Sequence, residues 1–193
     1  AVDGQDGGND YWRGTCTYAR TFDVPEFDRA AESVYLEFDG VNATADVKVN
    51  GIDACHHDGG YSTFRVNVTT LVRPGINELS VAVDNSKNDR VYPQKADFTF
   101  YGGIYRDVKL VVLSSTHFAM DYYGTPGLKV TPKIQDGDKD AEVRIESWAD
   151  GPAADGCRVR ARIVDASGAE VASGEGLDVT LRIRGAHRWD GVD

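Results

Sequence analysis

The sequence has little positive charge and no long apolar run, and both absences restrict the partners it can have. Its 193 residues hold 21 Lys and Arg against 31 Asp and Glu, which gives a formal net charge of −10 at pH 7. Nucleic acid and anionic membranes are therefore not expected as partners, because both bind a basic face. No segment is apolar over the length of a membrane span, and no signal peptide is recognisable. We expect a cytoplasmic protein and leave export open as the alternative.

Cysteine is scarce as well. The sequence contains Cys16, Cys55 and Cys157, and no CxxC pair. An odd number of cysteines at wide spacing predicts no disulfide framework and fits a reducing compartment.

The adjacent histidines His56 and His57 raise the question of a metal site. Only Asp53 and Asp58 lie near them in the sequence, whereas zinc sites need three or four ligands at defined spacing. A polar turn after a strand explains the pair better. We therefore predict no metal and no cofactor.

The motifs of several enzyme classes are missing. GxSxG, the P-loop and HExxH do not occur. Acidic residues are abundant, but a glycosidase pair is defined by its separation in space, which sequence does not reveal. We accordingly predict no catalytic residue in this chain.

What the sequence does have is a hydrophobic period of two, which is typical of β-strands. Turn signals separate the segments, and Asn50-Gly51 is a strong hairpin signal. A single helical turn is predicted at 69–75. This pattern predicts an antiparallel sandwich over residues 1–116, with strands at 15–24, 33–40, 45–51, 61–68, 76–84 and 104–113.

Residues 117–193 have a different character, with shorter strands and turn-rich connections. They predict a smaller sandwich of immunoglobulin type that is incomplete, because such a domain needs about seven strands. Five are predicted, at 128–134, 141–150, 157–165, 170–174 and 177–183.

The segment DFTFYGG (97–103) is the best candidate for a binding site. A sugar offers hydroxyls that the Asp97 carboxylate would accept as hydrogen bonds, and an apolar face that aromatic rings would cover. Phe98, Phe100 and Tyr101 supply such rings. The alternative is structural: the aromatics belong to the core and Asp97 caps a turn. A polar loop at 4–14, which ends in Arg13, fits either a sugar-facing loop or a domain interface.

Five segments in order resemble the non-catalytic N-terminal part of glycoside hydrolase family 2 enzymes, the β-galactosidase and β-glucuronidase group. They are WRGTCTYARTFDVP (12–25), VYLEFDGVNATADVKVNG (34–51), HHDGGYSTFRVNVTTLVRPGINELSVAVDNS (56–86), FYGGIYRDVKL (100–110) and HRWDGVD (187–193). The resemblance implies a galactose-binding-like jelly roll without its first strand, then a truncated immunoglobulin-like domain. It also implies a catalytic TIM barrel that this chain lacks, so the chain alone should be inactive.

The resemblance also assigns roles to residues. In the family, the Asp six residues before the second Gly of the GGIYRD signature reaches the barrel and binds sugar hydroxyls; here that residue is Asp97, with Phe98 beside it. Arg13 lies near another family loop that approaches substrate. A β-galactosidase part acting on terminal β-galactosides is the favoured function. A β-glucuronidase part, a stand-alone carbohydrate-binding module and a structural interface domain are the alternatives, and the parent is expected to be a homo-oligomer.

Overall fold

The structure is a computed structural model, and it describes residues 12–93, 100–134 and 139–187. The chain divides into two compact units, one up to Ser115 and one from Thr116 onward. In the described residues every strand pairing is antiparallel and the only helical element is one short 3-10 turn. The all-β prediction is therefore confirmed.

The described residues of the first unit form nine strands in three sheets. A four-stranded sheet has the order β1-β7-β4-β5, a three-stranded sheet has the order β6-β2-β9, and β3 pairs with β8. The bounds are β1 Thr15–Val24, β2 Glu32–Phe38, β3 Val41–Asn42, β4 Thr44–Val49, β5 Ile52–Asp58, β6 Phe64–Asn67, β7 Gly75–Asp84, β8 Gly103–Ile104 and β9 Val108–Ser114.

The core of this unit follows from strict alternation, since every second side chain of a strand points to the same face. Strands β2, β4 and β7 each bury alternate residues, and Phe38 is the largest side chain with no exposed surface. One hydrophobic cluster collects these side chains: Val24, Val34, Leu36, Phe38, Val41, Ala45, Val47, Val49, Phe64, Val66, Val68, Val72, Val81 and Val83.

The Asn50-Gly51 hairpin is confirmed. Asn50 and Gly51 have φ values of 51° and 80°, and Val49 pairs with Ile52 across the turn. This left-handed pair is what a two-residue hairpin requires. The returning strand β5 was not predicted, and it overturns the polar-turn interpretation of His56 and His57. It is an edge strand that buries little, so its sequence lacks the hydrophobic alternation that would identify it.

The long strand expected at 104–113 is interrupted. Gly103–Ile104 pairs with β3, and Val108–Ser114 pairs with β2. Between them the chain bends, and Tyr105 donates its phenolic O–H to the Gly60 carbonyl at 2.6 Å. The helical turn expected at 69–75 is a single turn in which the Leu71 and Val72 amides donate to the Val68 carbonyl.

The second unit contains a three-stranded sheet, β11-β12-β16, and two strand pairs, β14-β15 and β10-β13. The predicted strand 128–134 has the same bounds in the structure, the one at 141–150 is divided in two, and the other three are present with shifted ends. The bounds are β10 His117–Phe118, β11 Leu128–Ile134, β12 Ala141–Ser147, β13 Ala149–Asp150, β14 Arg160–Val164, β15 Glu170–Glu175 and β16 Asp178–Ile183, with the 3-10 turn at Ala154–Gly156.

Over the described ranges, we find no helix with the length and apolar character needed to cross a membrane. Cys16, Cys55 and Cys157 are all free thiols.

Candidate functional site

Several loops of the first unit meet at the end where β1 begins and β7 ends. Thr15 pairs with Asp84, and Asn42 pairs with Gly103, so the register brings four strand ends together. We call this region the loop platform and define it as residues 12–14, 42–43, 57–60, 85–91 and 100–105. Loops carried on a rigid sandwich are the usual place for binding residues.

Asn85 lies at the centre of the loop platform and is buried. Its Oδ1 accepts a hydrogen bond from the Gly14 amide at 2.9 Å, and its Nδ2 donates to the Phe100 carbonyl at 3.3 Å. Its own amide donates to the Gly14 carbonyl at 3.4 Å. One side chain therefore fixes two segments that are far apart in sequence.

Asn42 performs a similar task next to it. Its Nδ2 donates to the Tyr101 carbonyl at 2.6 Å, and the side chain is buried. Gly60 lies so close that an added Cβ would collide with the Asn42 amide. The carbonyls of two consecutive residues, Phe100 and Tyr101, are thus held by two buried amide side chains. Buried polar groups that are satisfied in this way fix one backbone geometry.

The two glycines of the FYGG segment are both required by their surroundings. Gly103 has φ of 110°, which L side chains rarely adopt, and a Cβ there would meet the Tyr18 hydroxyl. A Cβ on Gly102 would lie 2.8 Å from Cγ of Asn85. Close packing therefore requires glycine at both positions, and at Gly103 the backbone conformation requires it as well.

The aromatic residues of the same segment divide between the two interpretations considered above. Phe100 is buried, at 8% exposure, whereas Tyr101 is 55% exposed. The guanidinium of Arg13 lies over the Phe100 ring, 5.7 Å from its centroid. Phe100 is therefore a packing residue, whereas more than half of the Tyr101 side chain is exposed. Of the predicted substrate-binding residues the structure describes Arg13, while Asp97 and Phe98 lie outside the described residues.

A charged cluster surrounds His56 on the outer face of β5. Nδ1 of His56 lies 2.6 Å from Asp46 Oδ1, and Nε2 lies 3.1 Å from Asp58 Oδ1. Hydrogen bonds to Asp46 and then Asp58 raise the pKa of His56 above its ordinary value. Burial acts to raise the pKa of Asp58. Its hydrogen bonds with Arg90 and His56 outweigh this effect and hold the pKa below the usual range. Arg90, whose Nε lies 3.0 Å from Asp58 Oδ2, is thereby linked to β5.

His57 faces the opposite way. Its ring stacks on Phe64 at 4.0 Å, and Phe64 stacks on Phe38 at 4.7 Å. Burial lowers the pKa of His57, and its Nε2 is buried without a hydrogen-bond partner. The two histidines therefore point to different faces of one strand. Within the described part of the chain, no group of three or more His, Cys, Asp and Glu could hold a metal ion.

The first unit also has a groove of about 760 Å³ between the edge strands β1 and β9. Its floor includes Leu36 and Val81, which belong to the hydrophobic core, and charged residues such as Arg20 and Lys109 lie along it. Asp23, Arg106 and Asp107 also line it. We prefer the loop platform as the candidate because it contains Arg13 and the FYGG residues that the sequence motifs single out.

Sequence reasoning did not find Asn42 and Asn85. The available signal was their position: Asn42 is the last residue of β3, and Asn85 directly follows the last residue of β7. An asparagine there usually caps its own turn, so nothing local distinguishes a side chain that bridges distant segments.

These features define the chain's first unit as a β-sandwich domain without catalytic motifs, which presents a loop platform at one end. Residues 7–114 match the family described as "Glycosyl hydrolases family 2, sugar binding domain". The chain belongs to this family, and the resemblance in the sequence motifs is confirmed.

Individual relatives show how far the similarity extends. A β-glucuronidase of Bacteroides fragilis is 33% identical over 184 residues, which cover 94% of this chain and 26% of the relative. A β-galactosidase of Thermoanaerobacter pseudethanolicus is 30% identical over 155 residues, which cover 78% of this chain and 20% of the relative.

Among solved structures, an FMN-binding β-glucuronidase from Facaelibacterium prausnitzii L2-6 is 42% identical, with a TM-score of 0.86 over 97% of this chain and 30% of that one. A putative β-galactosidase from Bacteroides fragilis is 28% identical, with a TM-score of 0.82 over 94% of this chain and 29% of that one. The chain thus spans between a fifth and a third of the length of these relatives.

Proposed function

We propose that the chain is the N-terminal, non-catalytic part of a β-glucuronidase of glycoside hydrolase family 2. The observation that carries this proposal is the 42% identity and TM-score of 0.86 with the FMN-binding β-glucuronidase over nearly the whole chain. The sequence motifs favoured a β-galactosidase, but more of the relatives named β-glucuronidase match over nine-tenths of the chain. We therefore place the glucuronide first and the galactoside second.

Catalysis in this proposal is carried out by a barrel domain outside this chain. Supporting this division, the chain corresponds to 26% of the Bacteroides fragilis β-glucuronidase, and its sequence holds no recognisable catalytic motif. Retaining glycosidases need two carboxyl groups about 5–5.5 Å apart across the sugar. On this proposal the chain by itself hydrolyses nothing.

The role of the chain is to complete the sugar pocket of that barrel. Asp97 and Phe98 are proposed to contact the substrate, the first through hydroxyls and the second through its ring face. Arg13 is proposed to line the rim, and its position over the buried Phe100 ring supports this assignment. The second unit is proposed to be the immunoglobulin-like spacer of the parent, which we expect to be a homo-oligomer in the cytoplasm.

A β-galactosidase remains the second candidate because two relatives with that name match most of the chain. A stand-alone carbohydrate-binding module is the third. The three differ in a measurable way: the two enzymes need downstream sequence for activity and differ in substrate, whereas a module binds sugar without it.

The test compares the 193-residue chain with the same reading frame extended through its downstream codons. Both are assayed on aryl β-glucuronide and aryl β-galactoside. Hydrolysis by the extended protein alone, with preference for the glucuronide, is the expected result. Preference for the galactoside selects the second candidate. Binding of sugar by the short chain, without hydrolysis by either protein, selects the third.

Asp97 is tested in the extended protein. Asp97→Ala should reduce kcat/KM by an amount equivalent to about 2–4 kcal/mol, as expected for a charged hydrogen bond to substrate. Asp23→Ala is the matched control, because Asp23 is an exposed carboxylate on β1. Equal kinetics for the two variants would defeat the Asp97 assignment.

A further inference from the structure

Asn85 stands apart from the other buried polar side chains of the first unit because its partners flank the proposed sugar-facing region. Asn85 accepts a hydrogen bond from the amide of Gly14, the residue that directly follows Arg13 in the sequence. The Phe100 carbonyl, to which it donates, belongs to the residue that immediately follows the 94–99 segment. The guanidinium of Arg13, which lies over the Phe100 ring, connects the same two segments.

We propose that Asn85 is a positioning residue for substrate binding, which fixes the segment of Arg13 relative to the backbone at Phe100. The inference rests on the proposed function, since it assigns these segments to the sugar pocket. Asn85 does not touch substrate in this proposal. It acts through the backbone of Gly14 and Phe100.

Three observations support a fixed geometry. Asn85 is 7% exposed, so water does not compete well for its hydrogen bonds. Gly102 leaves no space for a side chain, and its absent Cβ would lie 2.8 Å from the Asn85 Cγ. The neighbouring Asn42 holds the next carbonyl, that of Tyr101, so rotation of the Phe100–Tyr101 backbone is opposed at two consecutive positions.

The chain provides a matched control in Asn77, a second buried asparagine associated with the same strand β7 but at its opposite end. Asn77 is 1% exposed, accepts from the Arg73 amide at 3.0 Å and donates to the Gly75 carbonyl at 2.8 Å. Its partners belong to the first residue of β7, the turn before it and the Asn50 side chain of the β4–β5 hairpin, far along the strand from Asn85. Loss of Asn77 should therefore cost stability without changing the loop platform.

The experiment has a structural and a kinetic readout. In the 193-residue chain, Asn85→Ala should speed hydrogen exchange of the Gly14 amide about tenfold relative to amides in the middle of β1, because its acceptor is lost. In the extended protein, the same variant should raise KM for an aryl β-glucuronide and lower kcat/KM by about tenfold or more, since small displacements of positioning groups are costly. Asn77→Ala, assayed well below its melting temperature, should leave both parameters at their wild-type values.

If Asn85→Ala does not fold, Gly102→Ala provides a second test. The added methyl group displaces the Asn85 side chain without removing it, so Gly102→Ala should also raise KM. A wild-type KM in folded Asn85→Ala or Gly102→Ala protein overturns the inference, and so does an unchanged Gly14 exchange rate in Asn85→Ala. Failure of the proposed function would give a different result: the extended wild-type protein would hydrolyse neither glycoside. That result would overturn the inference as well, because the inference rests on the proposed function.

Discussion

The aromatic stack beneath the loop platform allows a quantitative test of how the sandwich is held together. Phe38 has no exposed surface, and its ring lies 4.7 Å from that of Phe64 at an interplanar angle of 3°. His57 covers the other face of Phe64 at 4.0 Å. The stack joins β5 of the four-stranded sheet to β6 and β2 of the three-stranded sheet.

Phe38→Ala should lower the free energy of unfolding of the first unit by about 4 kcal/mol. Replacement of a fully buried Phe by Ala typically costs about 3–5 kcal/mol, because transfer free energy is lost and a cavity remains. With a urea m-value of about 2 kcal/mol per molar, the midpoint should fall by about 2 M. A double-mutant cycle with Phe64→Ala should give a coupling of about 0.5–1.5 kcal/mol from the ring pair.

The assay is a urea titration followed by amide NMR signals, which report the two units separately. Ile76→Ala is the control within the first unit, because Ile76 is 60% exposed and should cost about 0.5 kcal/mol or less. A fall in midpoint of about 0.5 M or less for Phe38→Ala would refute the reasoning, since the site would then tolerate loss of its largest core side chain.

Two further predictions concern charge. Glu37 forms an ion pair with Arg65 in which both side chains are largely buried, at 14% and 11% exposure. Glu37→Gln should therefore lower the free energy of unfolding by about 1–3 kcal/mol, because it leaves the Arg65 charge without its partner. Glu170→Gln, at an exposed ion pair with Arg160, should change it by about 0.5 kcal/mol or less, and equal effects in urea titrations would contradict the burial argument. Burial lowers the pKa of His57 below 6.5, so the unfolded chain binds its proton more readily than the folded one. The free energy of unfolding of the first unit should therefore rise as the pH increases through the window below 6.5. Urea titrations at about pH 5 and about pH 7.5 should show that His57→Gln removes this part of the pH dependence. An unchanged pH dependence in the variant would argue against a lowered pKa of His57.

The sequence predicted the strands that bury a face and failed on those that do not. Segments such as SVYLEF and INELSVAVD carry the alternation that a half-buried strand requires, and both are strands in the structure. Strand β5, IDACHHD, is an edge strand with few buried positions. It forms because the Asn50-Gly51 turn returns the chain alongside β4. Its pairing partner, rather than its own composition, specifies it.

The loop platform shows a similar limit. The acidic and aromatic segment before the GGIYRD signature could be recognised from residue types, and the need for Gly102 and Gly103 could be anticipated from their chemistry. The convergence of Gly14, Asn42, Asn85 and Phe100 could not, because it depends on the register of β1 with β7 and of β3 with β8. Hydrogen bonds between residues 71 positions apart leave no local signature.

Because the same asparagine holds both Gly14 and Phe100, the stretch between Asn85 and Phe100 begins and ends at one fixed point. Its ends stay together whatever lies between them, and lengthening such a loop costs only about 0.6 kcal/mol for each doubling. We therefore expect the connection between Asn85 and Phe100 to accept inserted residues at little cost in stability, while the sandwich keeps its packing.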